Sequence, residues 1–181
     1  MKSEMSRLEF EQLTAIVDTR EQNPWILEPM RTVRAGLDIG DYSILGLEAV
    51  IAIERKSLAD FVACCGTERE RFQRELDRLR GWPVSAVVIE AGWGDFELAS
   101  WRSKLSSKQV QASFAAWIAQ GHRLILGRDA ATSALIARGV LFYAARYRLQ
   151  EASCLLAHVK DKNHSDGNLD TTSGTSRGER Q

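Results

Sequence analysis

Apolar residues along the chain fall into short continuous runs and helical stripes, separated by polar segments. "LTAIV" (13–17) is an apolar run cut off by the polar "DTREQNP", which predicts a buried strand opening into a loop. "DYSIL" and "AVIAIE", with Gly46 between them, predict a hairpin. "SLADFVACC" follows as a short helix, in which Ser57 and Asp60 have the spacing of a capping box. Thr67 with Glu70 repeats that signal and opens a helix with the apolar stripe Phe72, Leu76 and Leu79, stopped by Gly81, Trp82 and Pro83. "VSAVVIE" (84–90) is a continuous apolar strand, the kind expected where helices cover both faces of a sheet. Val110, Phe114, Trp117 and Ile118 recur at helical spacing before Gly121, and "RLILG" (123–127) predicts a last strand before a long helix from Asp129. The order is strand, hairpin, helices, strand, helix, strand, helix. It predicts an α/β fold with a central mixed β-sheet flanked by helices.

The pattern also divides the chain. Residues 1–12 are a polar lead, 13–158 a single domain, and 159–181 a polar, Gly/Ser/Thr-rich tail, expected to be disordered because it has almost nothing apolar to bury. Of the 181 residues, 44% are apolar and 27% charged, the balance of a soluble globular protein that needs no disulfide or structural metal to hold its core. Lys plus Arg equals Asp plus Glu at 24 each, so any site for a polyanion must be a local patch rather than a global field. Three cysteines without a C-x-x-C pair predict small core residues in a reducing cytoplasm. The polar, acidic start and the lack of an apolar run near ~18 residues argue against a membrane address.

The chemistry concentrates in "VIAIERKSLADF" (50–61), where three charged residues follow an apolar half-strand. Charge there is costly unless it has a partner or a task. Residues two apart on a strand share a face, so Glu54 and Lys56 project together and Arg55 away. Asp41 opens the strand predicted to pair with this one, which brings its carboxylate beside Glu54. Two adjacent carboxylates repel unless a divalent cation lies between them, and hard oxygen ligands of this sort suit Mg²⁺ or Mn²⁺. Lys56 would then orient water or stabilise charge on a scissile phosphate. The alternative is an ordinary ion pair at a strand end with Asp41 as a turn residue.

The residues around them favour the first reading. "IVDTREQ", "GDYSI" and "IERKSLADF" occur in order, followed by "TERERFQRELDRL" and "VVIE". That series resembles the nuclease domain of the XPF family of structure-selective DNA endonucleases, whose signature is G-D-Y, a variable gap, then E-R-K-x-x-x-D. The resemblance spans about residues 14–91 in its motifs and extends to 150 in its helices. It implies the restriction-endonuclease-like fold, with Asp41 and Glu54 as metal ligands, Arg55 as a third ligand through its backbone carbonyl, and Lys56 as the catalytic lysine. Asp60 matches the last acid of the signature, or else only caps its helix. Asp18, Arg20 and Glu21 match the family's V-D-x-R-E at the edge of the active site, as acidic or phosphate-facing groups, against the alternative of a polar loop. Glu90, ending a strand, is a weaker candidate.

Arg71 matches an arginine that the family carries on the helix after the signature, and is the expected DNA contact together with Arg20. The family often has glutamine four residues further on and glycine just before the arginine, where this chain has Glu75 and Glu70. Arg74 and Arg78 share a face with Arg71, yet the Glu70/Arg74 and Arg71/Glu75 spacings read as a solvated, salt-bridged surface. Trp93 and Trp101 could stack on unpaired bases, but core packing is the favoured reading.

The resemblance implies a Mg²⁺-dependent endonuclease acting on branched or flapped DNA in repair, recombination or phage DNA processing. With no tandem helix-hairpin-helix or helicase domain in these residues, it resembles the short stand-alone forms of bacteria and phages, and such a form is the expectation. The alternative is a catalytically silent DNA-binding or scaffold subunit; a third reading is a nuclease for four-way junctions or nicked duplex. A homodimer is expected through the C-terminal helices, since Leu135, Ile136, Val140, Leu141, Phe142, Tyr143 and Tyr147 spread over more than one helix face.

Overall fold

The computed structural model of the chain describes residues 8–166. After a 3-10 turn at Phe10–Gln12 come β1 (Thr14–Asp18), β2 (Arg31–Ala35), β3 (Tyr42–Ile44) and β4 (Ile51–Ser57). Two helices follow, α1 (Leu58–Cys65) and α2 (Arg69–Leu79), then β5 (Val84–Glu90), α3 (Trp93–Leu98), α4 (Ser107–Ala119), β6 (Leu124–Leu126) and α5 (Ala130–Asp166). The six strands form one mixed sheet in the order β2-β1-β3-β4-β5-β6. β3 runs antiparallel to both β1 and β4, while β1/β2, β4/β5 and β5/β6 are parallel.

Strand alternation sorts the sheet into two cores. Ile51, Ile53, Ala86 and Val88 pack with Ala15, Val17, Tyr42 and Ile44 beneath Ala137, Leu141 and Ala145 of α5. Ala52, Val87 and Ile89 point the other way, onto Phe61 of α1, Phe72 and Leu76 of α2, and Phe114 and Trp117 of α4. β4 and β5 are therefore buried on both faces, the reason their sequences read as continuous apolar runs. Phe61 stacks on Phe96 at 5.5 Å between ring centroids, and Phe72 meets Trp117 edge-on at 5.0 Å. Aromatic pairs of this kind contribute about 0.5–1.5 kcal/mol beyond the area they bury, and here they tie α1 to α3 and α2 to α4.

Several local expectations are corrected. β2 and α3 were not predicted: four of the five β2 residues are exposed, so this edge strand carries no apolar run. Thr67 does not cap α2, which starts one residue later with Glu68 as its N-cap and no side-chain cap bond. Ile118 is 46% exposed rather than part of the stripe formed by Val110, Phe114 and Trp117. α5 continues through Asp166, past the point where the polar tail is expected to begin. The rest of that tail, 167–181, and the first seven residues of the lead lie outside the described residues. No helix among the described residues is long and apolar enough to cross a membrane.

Candidate active site

The signature residues meet at the carboxyl end of β4, where the loops around β1 and β3 and the helix α2 close over the sheet. Gly40 sets the approach. Its φ is +76°, and a Cβ there would stand 3.1 Å from the Ile53 carbonyl oxygen, so only glycine lets the chain pass this close to β4 without strain. Asp41 follows, donating its N–H to the Ile53 carbonyl at 2.8 Å, and its Oδ2 accepts the Arg55 N–H at 2.8 Å. The tyrosine next in line serves packing: Tyr42 stacks on Trp25 at 4.8 Å, and its hydroxyl accepts the Trp25 N–H at 2.8 Å.

Glu54 and Lys56 leave β4 on the α2 side, each 8% exposed, with the Lys56 ammonium hydrogen-bonded to Glu54 Oε1. Glu75 of α2 reaches the same ammonium, with Oε1 at 3.0 Å from Nζ. Together with Asp41 these side chains line a groove of about 590 Å³ that also takes in Arg20, Arg71, Arg74 and Arg78. An acidic floor thus lies beneath a basic rim. Arg74 and Arg78, read in the sequence as solvated surface, belong to this rim. Among the described residues Arg74 makes no ion pair with Glu70, whereas Arg71 does bind Glu75, at 3.2 Å.

Burial pushes the Asp41 carboxyl up to about 6, more than the Arg55 N–H and the Lys56 charge pull it down, and the charges of Glu21 and Glu75 add to the rise. Burial likewise raises Glu54 well above the carboxylate range, with Lys56 opposing and Asp41 and Glu75 reinforcing. For Lys56, burial would favour the neutral amine, but the Glu54 and Glu75 charges outweigh it and hold the ammonium. Burial also acts to raise Glu75, and its contacts with Glu54, Lys56 and Arg71 outweigh that and keep it ionised.

These features bear on a metal. Among the described residues no group of three or more His, Cys, Asp or Glu side chains converges on one point. The donors present are the two carboxylates of Asp41 and Glu54, and Asp41 Oδ1 accepts no hydrogen bond among the described residues. The half-buried Asp41 and the buried Glu54 fit a hard cation that keeps several of its waters, and a cation would offset the loss of solvent that raises their pKa values.

Other sequence candidates are placed differently. Asp18 is fully buried, and its carboxylate accepts four N–H groups: Arg20 N and Nε on Oδ1, Arg20 Nη2 and Leu37 N on Oδ2. Hydrogen bonding to Arg20 lowers its pKa to about 2 against the effect of burial, aided by the Leu37 and Arg20 N–H groups. Both of its oxygens are thus occupied, and the carboxylate fastens the loop after β1. Arg20, 70% exposed in its side chain, pairs with it and also donates to the Leu37 carbonyl at 2.8 Å.

Glu21 and Glu90 are both bound to the Arg55 guanidinium, on the opposite side of β4 from Lys56. Arg55 Nη1 meets Glu21 Oε1 at 3.2 Å, while Nε and Nη2 grip the two Glu90 oxygens at 2.8 and 3.1 Å. Trp25 Nε1 donates to Glu90 as well, at 2.6 Å. Glu21 nevertheless borders the mouth of the site beside Arg20, Asp60 and Arg71. Asp60 sits at that mouth and braces Ser57, the N-cap of α1, its N–H donating to Ser57 Oγ at 3.1 Å and its carboxylate accepting the Ser57 hydroxyl at 2.7 Å. Arg71, 56% exposed in its side chain, binds Glu68 at 2.7 Å as well as Glu75. Trp93 packs edge-on against Phe114 yet is 44% exposed, and Trp101 donates to the Leu105 carbonyl at 2.8 Å. Besides Arg74 and Arg78, Glu75 is a carboxylate of the groove that the sequence did not assign to the site. Its signal was there: it follows the buried Phe72 by three positions and so lies at the edge of the helix face turned to the sheet.

The geometry has counterparts in known proteins. Two solved structures of XPF from Aeropyrum pernix superpose on the chain with a TM-score of 0.57 each. The first is 21% identical and covers 71% of this chain, and the chain spans 59% of its length. The second, in complex with DNA, is 22% identical and covers 74%, and the chain spans 66% of its length. At that identity the likeness is one of fold, the restriction-endonuclease-like arrangement of mixed sheet and flanking helices. No curated protein matches. The model of the ERCC4 domain matches residues 17–148, so the chain belongs to the ERCC4 domain family.

Proposed function

We propose that this protein is a Mg²⁺-dependent DNA endonuclease that hydrolyses phosphodiester bonds in branched or flapped DNA. The observation that carries the reading is the convergence of Asp41, Glu54 and Lys56 in one groove under the guanidinium groups of Arg20, Arg71, Arg74 and Arg78. Asp41 and Glu54, with the Arg55 carbonyl, would hold the cation. When bound, such a cation offsets the charge of a phosphate and favours water as the nucleophile. The chain's own groups do the rest. The rim arginines bind backbone phosphates and set the register of the strand, which gives affinity without sequence preference. The Lys56 ammonium, kept charged by its carboxylate neighbours, faces the charge that builds on the scissile phosphate and orients the attacking water. That an A. pernix protein of the same fold is found in complex with DNA supports DNA as the ligand, and the family's signature supports the chemistry.

Cleavage of labelled flap, fork, four-way-junction, duplex and single-stranded DNA tests this, each with Mg²⁺, Mn²⁺ or EDTA. Cutting near the branch point that EDTA abolishes is the expected result. Binding without cutting of any of the five would instead favour a silent scaffold subunit.

A homodimer through α5 is part of the same proposal. Leu141 and Phe142 are spent on the core, but Leu135, Tyr143 and Tyr147 are more than half exposed. That is more apolar surface than one contact with the sheet consumes. Sedimentation equilibrium at micromolar concentration should give twice the chain mass, and a monomer there would end this part of the reading.

A further inference from the structure

Five charged side chains link the rim of the groove to its floor: Glu68 to Arg71, Arg71 to Glu75, Glu75 to Lys56, and Lys56 to Glu54. Glu75 is the middle of this series. We propose that Glu75 is a positioning residue that fixes the Lys56 ammonium in the groove; the catalytic consequence rests on the nuclease function proposed above.

A lysine is a poor candidate for precise placement by itself, because its four-carbon stem is flexible and its ammonium is a point charge that accepts many directions. Such a group is located only by acceptors that approach from different sides. Glu54 cannot do this alone. It leaves the same strand two residues away and moves with Lys56. Glu75 comes from a separate element, α2, whose place is set by Phe72 and Leu76, 0% and 1% exposed. Its Oε1 takes one Lys56 N–H at 3.0 Å, and its Oε2 is itself steadied by Arg71 Nη1 at 3.2 Å. The Phe72 ring lies 5.6 Å from Nζ and closes a further side. Two of the three ammonium donors are thereby assigned to carboxylates on different elements.

The division of labour between the two acids follows from their surroundings. Glu54 belongs to the donor pair that suits a cation, and a cation on its oxygens competes with the ammonium for them. Glu75 lies outside that pair and keeps its carboxylate for Lys56. The hold needs an oxygen acceptor at the end of a side chain of this length. A glutamine amide supplies one, and an alanine does not.

The direct test uses protein without metal or DNA. In ¹H–¹⁵N spectra of lysine ammonium groups, the Lys56 signal, identified by its absence in Lys56→Arg, should be visible in the parent and in Glu75→Gln. It should be lost to exchange in Glu75→Ala. An unchanged Lys56 signal in Glu75→Ala overturns the proposal. Kinetics on the DNA cut by the parent form the second arm. Glu75→Ala should lower kcat about thirtyfold or more with KM within about threefold of the parent, since small misplacements of a reacting group cost rates of this order. Glu75→Gln should recover kcat to within about threefold. A glutamine variant no better than alanine, or a fall shared equally with melting temperature, overturns the proposal. Should the parent cut no DNA, the nuclease reading fails, while the ammonium spectrum still decides whether Glu75 holds Lys56.

Discussion

Asp41→Asn should slow DNA cleavage by at least about a hundredfold, the scale of losing one electrostatic stabiliser of a reacting centre, and yet melt no lower than the parent. The two effects share a cause. An asparagine Oδ1 can still accept the Arg55 N–H, so the hydrogen bond that joins β4 to the β3 entry is kept. What disappears is a charge in a place that penalises charge. Burial, reinforced by Glu21 and Glu75, raises this carboxyl to about 6 from an ordinary value of 3.8. Its ionisation therefore opposes folding: in metal-free protein its contribution is most favourable below about pH 4 and is lost as pH rises through about 6. The variant does not undergo that loss. Melting curves in EDTA should coincide near pH 4 and separate in favour of Asp41→Asn by pH 8. A variant that melts lower at pH 8 would show that the carboxylate serves structure. By the same linkage, Mg²⁺ should bind the parent less tightly as pH falls through about 6, because the cation must then displace a proton.

Asp18→Asn should produce the opposite pattern, a large loss of stability with the chemistry of the folded molecules little changed. The Asp18 carboxylate answers four N–H groups, two of them backbone donors from Arg20 and Leu37. An amide turns one acceptor into a donor facing those groups. Leaving buried donors unanswered costs about 1–3 kcal/mol each, so about 3 kcal/mol is expected, or roughly 10 °C in melting temperature for a domain of this size. Here the folded pKa is depressed to about 2, so the stabilisation is complete above the unfolded value near 4 and fades as pH falls toward 2. Parent and variant should differ most at neutral pH and converge in acid. A variant within about 2 °C of the parent at pH 7 would sink the fastener role, and a collapse of turnover at unchanged stability would restore Asp18 to the chemistry.

The strands that build the site were legible because they are buried on both faces. β4 and β5 show as unbroken apolar runs, and the period of two within β4 places Glu54 and Lys56 on one side and Arg55 on the other, as observed. β2 was not legible, since an edge strand with four exposed residues of five has no reason to carry a hydrophobic pattern. α2 was half legible. Its apolar stripe is where the sequence puts it, and the Arg71/Glu75 pair forms. The spacing of that pair says nothing of what else Glu75 touches, and its second oxygen contacts a lysine 19 positions earlier in the chain. Arg55 is a similar case. Its guanidinium closes onto Glu21 and Glu90, 34 and 35 positions away, a clamp that no local spacing announces.

The sequence by itself therefore determined the family signature, the mixed sheet, and which charged residues share a face of β4. These follow from covalent geometry and from the period of each element, which act over a few residues. The allocation of the acids was decided only by the tertiary structure. Asp18, Glu21 and Glu90 answer nearby N–H and guanidinium groups, while Asp41 and Glu54 lose solvent beside Lys56 and Glu75 arrives from α2. A carboxylate's state depends on the donors that reach it and on the solvent it loses, and both are set by packing between segments distant in the chain.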